Sequence, residues 1–336
     1  MNVGLTECLL FSSDAEWERA QGELTEAGFG DGLPLVVPTA KRMDGMLAGV
    51  ANPTEPLGEM PPLMGALTIE AVAYCCVLAG CTPAELPVVT SGALAALEPE
   101  FNLLGIQTTT GTPTVCLVVH GPIVHQLHMN FEVNCLGSGN RANACIGRAL
   151  QLVFRNVGGT IPGMTDMATM GQPGKYIFCF AEGPSNLISS LAVRRGLDAA
   201  ASAVTIIGVS GTLEVLPHHP ADSPESILMP MVDAMHGGRL AHDAAENRAG
   251  GEQFMLLPPE MGDLIGANGW TLPKMQEFMW DKSPGGTAEQ AWPLARSPGD
   301  INVIATGGVG TKSTCLIPWG AASLSMTRAL LPLRSS

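Results

Sequence analysis

Charged residues are scarce in this sequence, and basic residues are the rarer kind. Only 14% of the 336 residues are charged, and 17 Lys and Arg against 31 Asp and Glu leave a formal net charge of −14. No run of Lys or Arg occurs anywhere in the chain. Because nucleic-acid binding depends on clustered cations that neutralise phosphates, the composition argues against a nucleic-acid partner.

Long apolar runs and a basic leader are also missing. No uninterrupted apolar stretch approaches the roughly 20 residues that a membrane-spanning helix needs. Residues 1–17 carry Glu7, Asp14 and Glu16 and show no basic segment followed by an apolar one, so they do not resemble a secretory signal. We therefore expect a cytoplasmic protein with no membrane partner.

Paired cysteine motifs are absent, although cysteine itself is present. The nine cysteines are odd in number, include no CxxC pair and mostly lie inside apolar runs. Such cysteines are typical of reduced, buried small side chains in a cytoplasmic protein. The cysteines therefore indicate neither a disulfide framework nor a zinc site.

Aromatic residues make up only 5% of the chain, whereas hydrophobic residues make up 46% and glycine and proline number 40 and 26. This profile is typical of an α/β enzyme with an aliphatic core and many tight turns. Continuous apolar runs that end at Gly or Pro predict buried strands at 114–119, 203–209, 254–257 and 301–306. Helical periodicity predicts helices at 142–156, 184–199, 223–235 and 258–264. The alternation predicts an α/β fold with mixed or parallel sheets flanked by helices.

The length exceeds the size at which a single core usually keeps growing, so we expect two closely packed lobes. We place an N-terminal α/β lobe carrying the site at residues 1–200 and a C-terminal α/β lobe closing it at residues 201–336. The recurrence of a strand followed by glycine suggests internal duplication, although no repeat aligns in the sequence.

The polar residues of the segment 130–182 are interleaved with glycines, which is typical of a pocket built from loops. A glycine-rich turn at 137–139 precedes the helix predicted at 142–156, and backbone N–H groups at a helix start favour an anion. We predict substrate-binding roles here for Asn134, Arg141, Asn143 and Arg148. The run 137–142 matches a permissive dinucleotide fingerprint, but the alternating segment 127–133 before it predicts a half-polar strand, which argues against that reading.

Four further residues are predicted to bind substrate. Asp31 and Arg42 flank the helix start that Thr39 is placed to cap. Gly308 and Ser313 belong to a glycine-rich segment after the strand predicted at 301–306, where backbone N–H groups can form an anion nest. The spacing of that segment departs from a nucleotide phosphate-binding loop.

Three residues are the catalytic candidates. Lys175 and Glu182 flank a strand predicted at 176–180 and could act as an electrostatic clamp and a general acid or base. An extended strand would hold their Cα atoms about 23 Å apart, so the two can share a pocket only through a bend or an oligomer. Cys135, near the helix start and Arg141, is a candidate nucleophile with a lowered pKa.

Histidines are considered as metal ligands because three of them lie close together in sequence. His120, His125 and His128 could reach one ion with Glu132, but the spacing is a weak indication and a structural role is favoured. We predict no metal and no cofactor.

Four groups of residues spread over most of the chain form a recognisable set: Asp31-Gly-Leu-Pro with Pro38-Thr39 and Arg42, Phe101-Asn102-Leu, Arg141-Ala-Asn143-Ala with Gly147-Arg148-Ala, and Pro173-Gly-Lys175-Tyr. Together they resemble an uncharacterised bacterial family that often accompanies the small selenocysteine-or-cysteine proteins called UGSC. The resemblance implies a possible thiol-protein partner and no established activity. Cys135 and Cys145 stand where aromatic and threonine residues are commoner in that family.

These observations predict a small-molecule enzyme, a hydrolase or lyase, that acts on a small anionic or amide-like metabolite and forms a homo-oligomer. Asn and Arg side chains would bind the substrate, and Lys175 and Glu182 would act on it. Two alternatives stay open: a non-catalytic or redox-accessory binding protein working with a thiol partner, and a metal-dependent enzyme that uses the histidines.

Overall fold

The computed structural model describes residues 5, 7–242, 251–283, 294–320 and 323–333. Within these ranges the helices are α1 Trp17–Glu26, α2 Ala40–Leu47, α3 Ile69–Ala79, α4 Leu86–Ala95, α5 Leu103–Thr108, α6 Ile123–Gln126, α7 Arg141–Asn156, α8 Leu191–Arg194, α9 Pro224–His242, α10 Pro259–Ala267 and α11 Leu272–Lys282. The strands are β1 Pro56–Met60, β2 Gly65–Thr68, β3 Thr114–His120, β4 Cys179–Ala181, β5 Ala203–Val215, β6 Gln253–Leu257, β7 Ile301–Ala305, β8 Ser313–Pro318 and β9 Met326–Ala329.

Seven of the strands form one mixed sheet. Its order is β4-β3-β5-β8-β6-β7, and β9 pairs with the first residues of β5. The pairs β3/β4 and β6/β7 are parallel, and the other pairs are antiparallel. With helices packed around this sheet, the predicted α/β fold is confirmed.

The sheet consists of two units with the same strand pattern. In each unit a strand pairs in parallel with the next strand along the chain and antiparallel with the one after it: β3 with β4 and β5, then β6 with β7 and β8. The two units meet at the antiparallel pair β5/β8. This topology is consistent with the internal duplication suggested by the sequence, while the lobe boundary at residue 200 stays a prediction.

The sheet is so strongly curled that its two edge strands meet. The Gly183 N–H donates to the Ala305 carbonyl at 2.8 Å, and the Thr306 hydroxyl donates to the Ala181 carbonyl at 2.9 Å. The inner face encloses a core of alternating strand residues: Cys116, Val118, Phe180, Ile207, Val209, Phe254, Leu256, Ile304 and Leu316. The outer face packs on α3, α4 and α7 in the first unit and on α9, α10 and α11 in the second.

The strands predicted from apolar runs are confirmed, as are three of the four helices predicted between them. The strand predicted at 127–133 is wrong, because His128 has a positive φ of 52° and the Asn130 side chain bonds the Glu132 N–H and the Val133 carbonyl in a local turn. The helix predicted at 184–199 is also too long. It is limited to α8, which the Ser190 side chain caps and which precedes Gly196 at a φ of 89°.

No helix in the described parts of the chain is both long and apolar enough to cross a membrane.

Candidate functional site

A cavity of about 570 Å³ opens between the last turns of α7, the start of β3 and the loop 160–176. This volume lies within the range of sites that hold small molecules, roughly 300–1,000 Å³. Its lining mixes apolar surface from Phe154, Pro113 and Met170 with polar and charged side chains. The cavity is therefore the candidate site of the described structure.

The loop that covers the cavity is held by hydrogen bonds made within itself. The Thr165 hydroxyl donates to the Gly159 carbonyl at 2.6 Å and accepts the Ile161 N–H at 2.8 Å. Gly159 and Gly163 adopt φ values of 75° and 77°, which side chains with a Cβ rarely adopt. The glycines that the sequence places here therefore allow the turns that shape the cavity wall.

Among the described residues, Arg155 is the cation of the cavity lining that forms no ion pair. It lies in the last turn of α7, and its Nε is buried without a hydrogen-bond partner among the described residues. Its guanidinium takes part in no ion pair there, and burial lowers its pKa, partly offset by the charge of Asp31. The hydroxyl of Thr160, which also lines the cavity, is likewise buried and unpartnered. Arg155 and Thr160 thus each present to the cavity a buried polar atom that has no partner among the described residues.

The other charged side chains of the cavity are paired. Lys175 Nζ lies 2.8 Å and 2.6 Å from the two carboxylate oxygens of Asp166. Arg148 binds the carboxylate of Asp31 with Nε at 2.8 Å and Nη2 at 2.9 Å. Burial alone would raise the pKa of Asp31, but the bonds from Arg148 and the Leu33 N–H hold it below its usual value.

Two glutamine side chains of the cavity donate to backbone carbonyls, Gln172 with both of its N–H groups and Gln151 with one. Gln172 donates to the Thr112 carbonyl at 2.7 Å and to the Val209 carbonyl at 2.8 Å. Gln151 donates to the Val115 carbonyl at 3.0 Å. Because an amide nitrogen must face these carbonyls, the orientation of each carboxamide is fixed and its oxygen is left as an acceptor.

The structure thus brings three of the predicted site residues to the cavity. Lys175 and Asp31 line it, and Arg148 holds Asp31 in place. Arg155 was missed by the sequence reasoning. Its signal was helical spacing, because Arg148, Gln151 and Arg155 follow one another at intervals of three and four residues and so share a face of α7.

The glycine-rich turn before α7 satisfies its own polar groups. Arg141 pairs with Glu85, whose carboxylate is fully buried, and this bond raises the pKa of Arg141. Asn134 donates to the Ser138 carbonyl at 2.7 Å. Asn143 donates to the Asn130 carbonyl at 2.8 Å and accepts the Asn130 N–H at 3.0 Å. The substrate-binding roles of these residues stay predictions.

The remaining predicted binding residues lie apart from the cavity lining. The guanidinium of Arg42 donates to the Val37 carbonyl, and its backbone N–H donates to the hydroxyl of Thr39, which caps α2. Gly308 packs so closely against Val133 that an added Cβ would lie 2.9 Å from the Val133 backbone nitrogen. Ser313 is buried at the start of β8. Their predicted roles likewise stay untested.

Glu182 is not brought to Lys175 but lies in a buried hydrogen-bond network at the end of β4. Its carboxylate contacts His120 Nδ1 at 2.6 Å and accepts the Ser190 hydroxyl at 2.6 Å and the Leu191 N–H at 3.1 Å. Burial alone would raise the pKa of Glu182, but these bonds hold it below its usual value. His120 and Glu182 are 1% and 8% exposed, so little of either faces solvent.

The network continues across the sheet. His120 Nε2 lies 2.7 Å from the Thr205 hydroxyl, which lies 2.7 Å from the Thr327 hydroxyl. Arg195 donates to Thr327 at 2.8 Å and to Glu252 at 2.7 Å. These contacts join β3, β5 and β9 to the start of the second unit, which indicates a structural role for the network.

The thiol of Cys135 contacts Thr306 and not the guanidinium of Arg141. Its thiol is 3.5 Å from the Thr306 hydroxyl, and burial raises its pKa above the usual value. The expected lowering of the pKa by Arg141 is therefore wrong, because that guanidinium is bound to Glu85. A nucleophilic role of Cys135 stays a prediction.

The three histidines do not converge. His120 has both ring nitrogens engaged, and His125 packs edge-on against Phe131 with ring centroids 5.6 Å apart. Over the described ranges, no three His, Cys, Asp or Glu side chains are grouped so that they could hold a metal ion.

Comparison with known proteins adds no relative: no protein-family model matches the chain, and no curated protein matches it.

Proposed function

We propose that this protein is an enzyme that binds a small organic anion in the Arg155 cavity and acts on it by proton transfer. A lyase reaction is the first candidate, and a hydrolase reaction is the second. The observation that carries this proposal is the buried Nε of Arg155, which has no partner among the described residues. A ligand carboxylate placed in the cavity would supply that partner.

The energetic argument rests on desolvation. A buried N–H group without a hydrogen bond costs about 1–3 kcal/mol, and more when the group is charged. Bound to a carboxylate, the same guanidinium makes a charge-assisted hydrogen bond, about twice as strong as a neutral one. A buried polar group that has no partner within the protein is a candidate contact for a bound ligand.

The ion pair of Lys175 and Asp166 supplies the proposed chemistry. Asp166 would remove a proton from carbon or oxygen of the bound anion, and the Lys175 ammonium would stabilise the negative charge that develops. The described lining contains no cysteine and no serine, and its threonine hydroxyls contact no base that could activate them: Thr114 donates to the Gly174 carbonyl, and Thr160 has no partner among the described residues. The pair therefore favours elimination or another proton-transfer reaction over hydrolysis through a nucleophile.

The test is proton exchange in D2O followed by NMR on a panel of small carboxylates. The wild-type protein should accelerate exchange at the carbon next to the carboxylate for at least one of them. Arg155→Gln should lose this acceleration through weaker binding, and Lys175→Ala through a slower step at saturation. If calorimetry detects no binding of any carboxylate and the exchange rate equals the background rate, the proposal is wrong.

We also propose a cytoplasmic location, which is supported by nine cysteines that are all unpaired in the structure. A homo-oligomer and a thiol-protein partner stay predictions, and light scattering and copurification test them.

A further inference from the structure

We infer that the ligand of the cavity is a monoanion that carries an uncharged hydrogen-bond donor, such as a small hydroxy acid, and that Asp166 sets this charge preference. The inference rests on the proposed function and goes beyond it by naming the ligand class and the residue that selects it.

The charge of the cavity is one positive unit. Four ionisable side chains line it: Asp31, Arg155, Asp166 and Lys175. Lys175 neutralises Asp166, and Arg148, which lies behind the wall, neutralises Asp31 through two short bonds. Arg155 makes no ion pair among the described residues, its buried Nε has no hydrogen-bond partner there, and only the more distant charge of Asp31 acts on it.

Charge complementarity then selects the ligand. A single carboxylate neutralises Arg155, whereas a neutral amide leaves the guanidinium, whose Nε is buried, without a counter-charge. A dianion leaves an excess negative charge beside the carboxylates of Asp31 and Asp166. Because a buried polar or charged group without a partner is costly, both alternatives should bind more weakly than the monoanion.

The polar groups around Arg155 indicate a donor on the ligand. The carboxamide of Gln172 uses its N–H groups on two backbone carbonyls, so it can offer a ligand only its oxygen. The Thr160 hydroxyl is buried, has no partner in the part of the chain that the structure describes, and can donate to the ligand or accept from it. A hydroxyl group on the ligand can donate to the Gln172 oxygen, whereas a second carboxylate would face that oxygen with no hydrogen to donate.

Asp166 sets the charge preference because its carboxylate neutralises the positive charge of Lys175. Asp166→Asn keeps the size of the side chain and leaves the Lys175 ammonium without its anion, which raises the cavity charge to two positive units. Lys175→Gln does the opposite, because the carboxylate of Asp166 then cancels Arg155. Two substitutions of one pair should therefore shift ligand preference in opposite directions.

The experiment is calorimetric titration at pH 7.5 with lactate and mandelate, their amides, and malate as the dianion. In the wild type we expect a monoanion to bind at least about tenfold more tightly than its amide and than malate. Asp166→Asn should make malate bind more tightly than the monoanion, and Lys175→Gln should make each amide and its acid bind with equal affinity. Arg296→Gln, which alters an exposed ion pair elsewhere, should leave every affinity unchanged.

The outcomes separate the two proposals. If amides or malate bind the wild type as tightly as the monoanions, and Arg155→Gln weakens them all, the cavity is a binding site but the ligand class is wrong. If both variants of the Asp166–Lys175 pair melt like the wild type and keep its ligand order, Asp166 does not select charge. If one variant fails to fold, the other decides. If no probe binds, or Arg155→Gln binds as the wild type does, the proposed function is wrong.

Discussion

Replacing Arg155 by methionine should stabilise the ligand-free protein while it abolishes anion binding. Methionine keeps an unbranched apolar stem, so it preserves most of the packing of the arginine stem. It removes the Nε group that is buried without a partner among the described residues. Such a group costs about 1–3 kcal/mol, so we expect the free energy of unfolding to rise by roughly 1 kcal/mol or more.

The matched control is Arg148→Met, seven residues earlier on the same helix. Arg148 and Asp31 form a bidentate pair whose side chains are 12% and 11% exposed, so the substitution leaves a largely buried carboxylate without its cation. Breaking a buried pair costs about 3–5 kcal/mol, and partial exposure places this one near the lower limit. The two substitutions should therefore change stability in opposite directions.

The assay is urea denaturation followed by circular dichroism. A change in midpoint reports a change in stability only when the dependence of the unfolding free energy on urea concentration is the same in variant and wild type, so these slopes are compared first. A rise in midpoint for Arg155→Met and a fall for Arg148→Met support the reasoning. A fall for Arg155→Met as large as that of the control would mean that the guanidinium stabilises the fold and is not held ready for a ligand.

Three other substitutions test the remaining parts of the account. Because the pKa of Glu182 is lowered in the folded state, its ionised carboxylate stabilises the fold above the unfolded-state pKa, and this stabilisation is lost as the pH falls through the folded-state pKa. Glu182→Gln should therefore reduce the change in urea midpoint between neutral and acidic pH. A variant whose midpoint depends on pH as in the wild type would contradict the role of the His120 contact. Lys175→Ala should slow proton exchange of bound carboxylate by about a hundredfold in folded protein, whereas a rate equal to the wild type would remove it from catalysis. Cys135→Ser should keep carboxylate affinity and exchange rate, and loss of exchange with binding intact would restore Cys135 as a catalytic candidate.

The sequence was sufficient for most of the architecture because apolar runs covered on both faces are distinctive. The strands β3, β5, β6 and β7 all lie on such runs, and the helix predicted at 142–156 differs from α7 by one residue. Errors arose where local side-chain bonds decided the backbone, as in the turn around Asn130 that replaced a predicted strand.

The site was harder to predict because it depends on which cations already have anions. Arg148 and Asp31 are 117 residues apart, and Arg141 and Glu85 are 56 apart, so nothing in the local sequence shows that both arginines are neutralised. Arg155 looks like an ordinary helix residue until the absence of a contacting anion among the described residues is seen. The sequence singled out Lys175 as a rare cation, and the structure places it in the cavity lining, whereas its partner Asp166 was assigned no role; the catalytic role of Lys175 stays a prediction.

The most direct test of the central claim is a crystal structure of the protein soaked with a brominated mandelate, in which anomalous scattering locates the ligand. We expect the bromine in the cavity between α7 and the loop 160–176, with a carboxylate oxygen about 3 Å from the Nε of Arg155. A ligand bound instead at the glycine-rich turn before α7, or in the cavity with its carboxylate turned away from Arg155, would contradict the account.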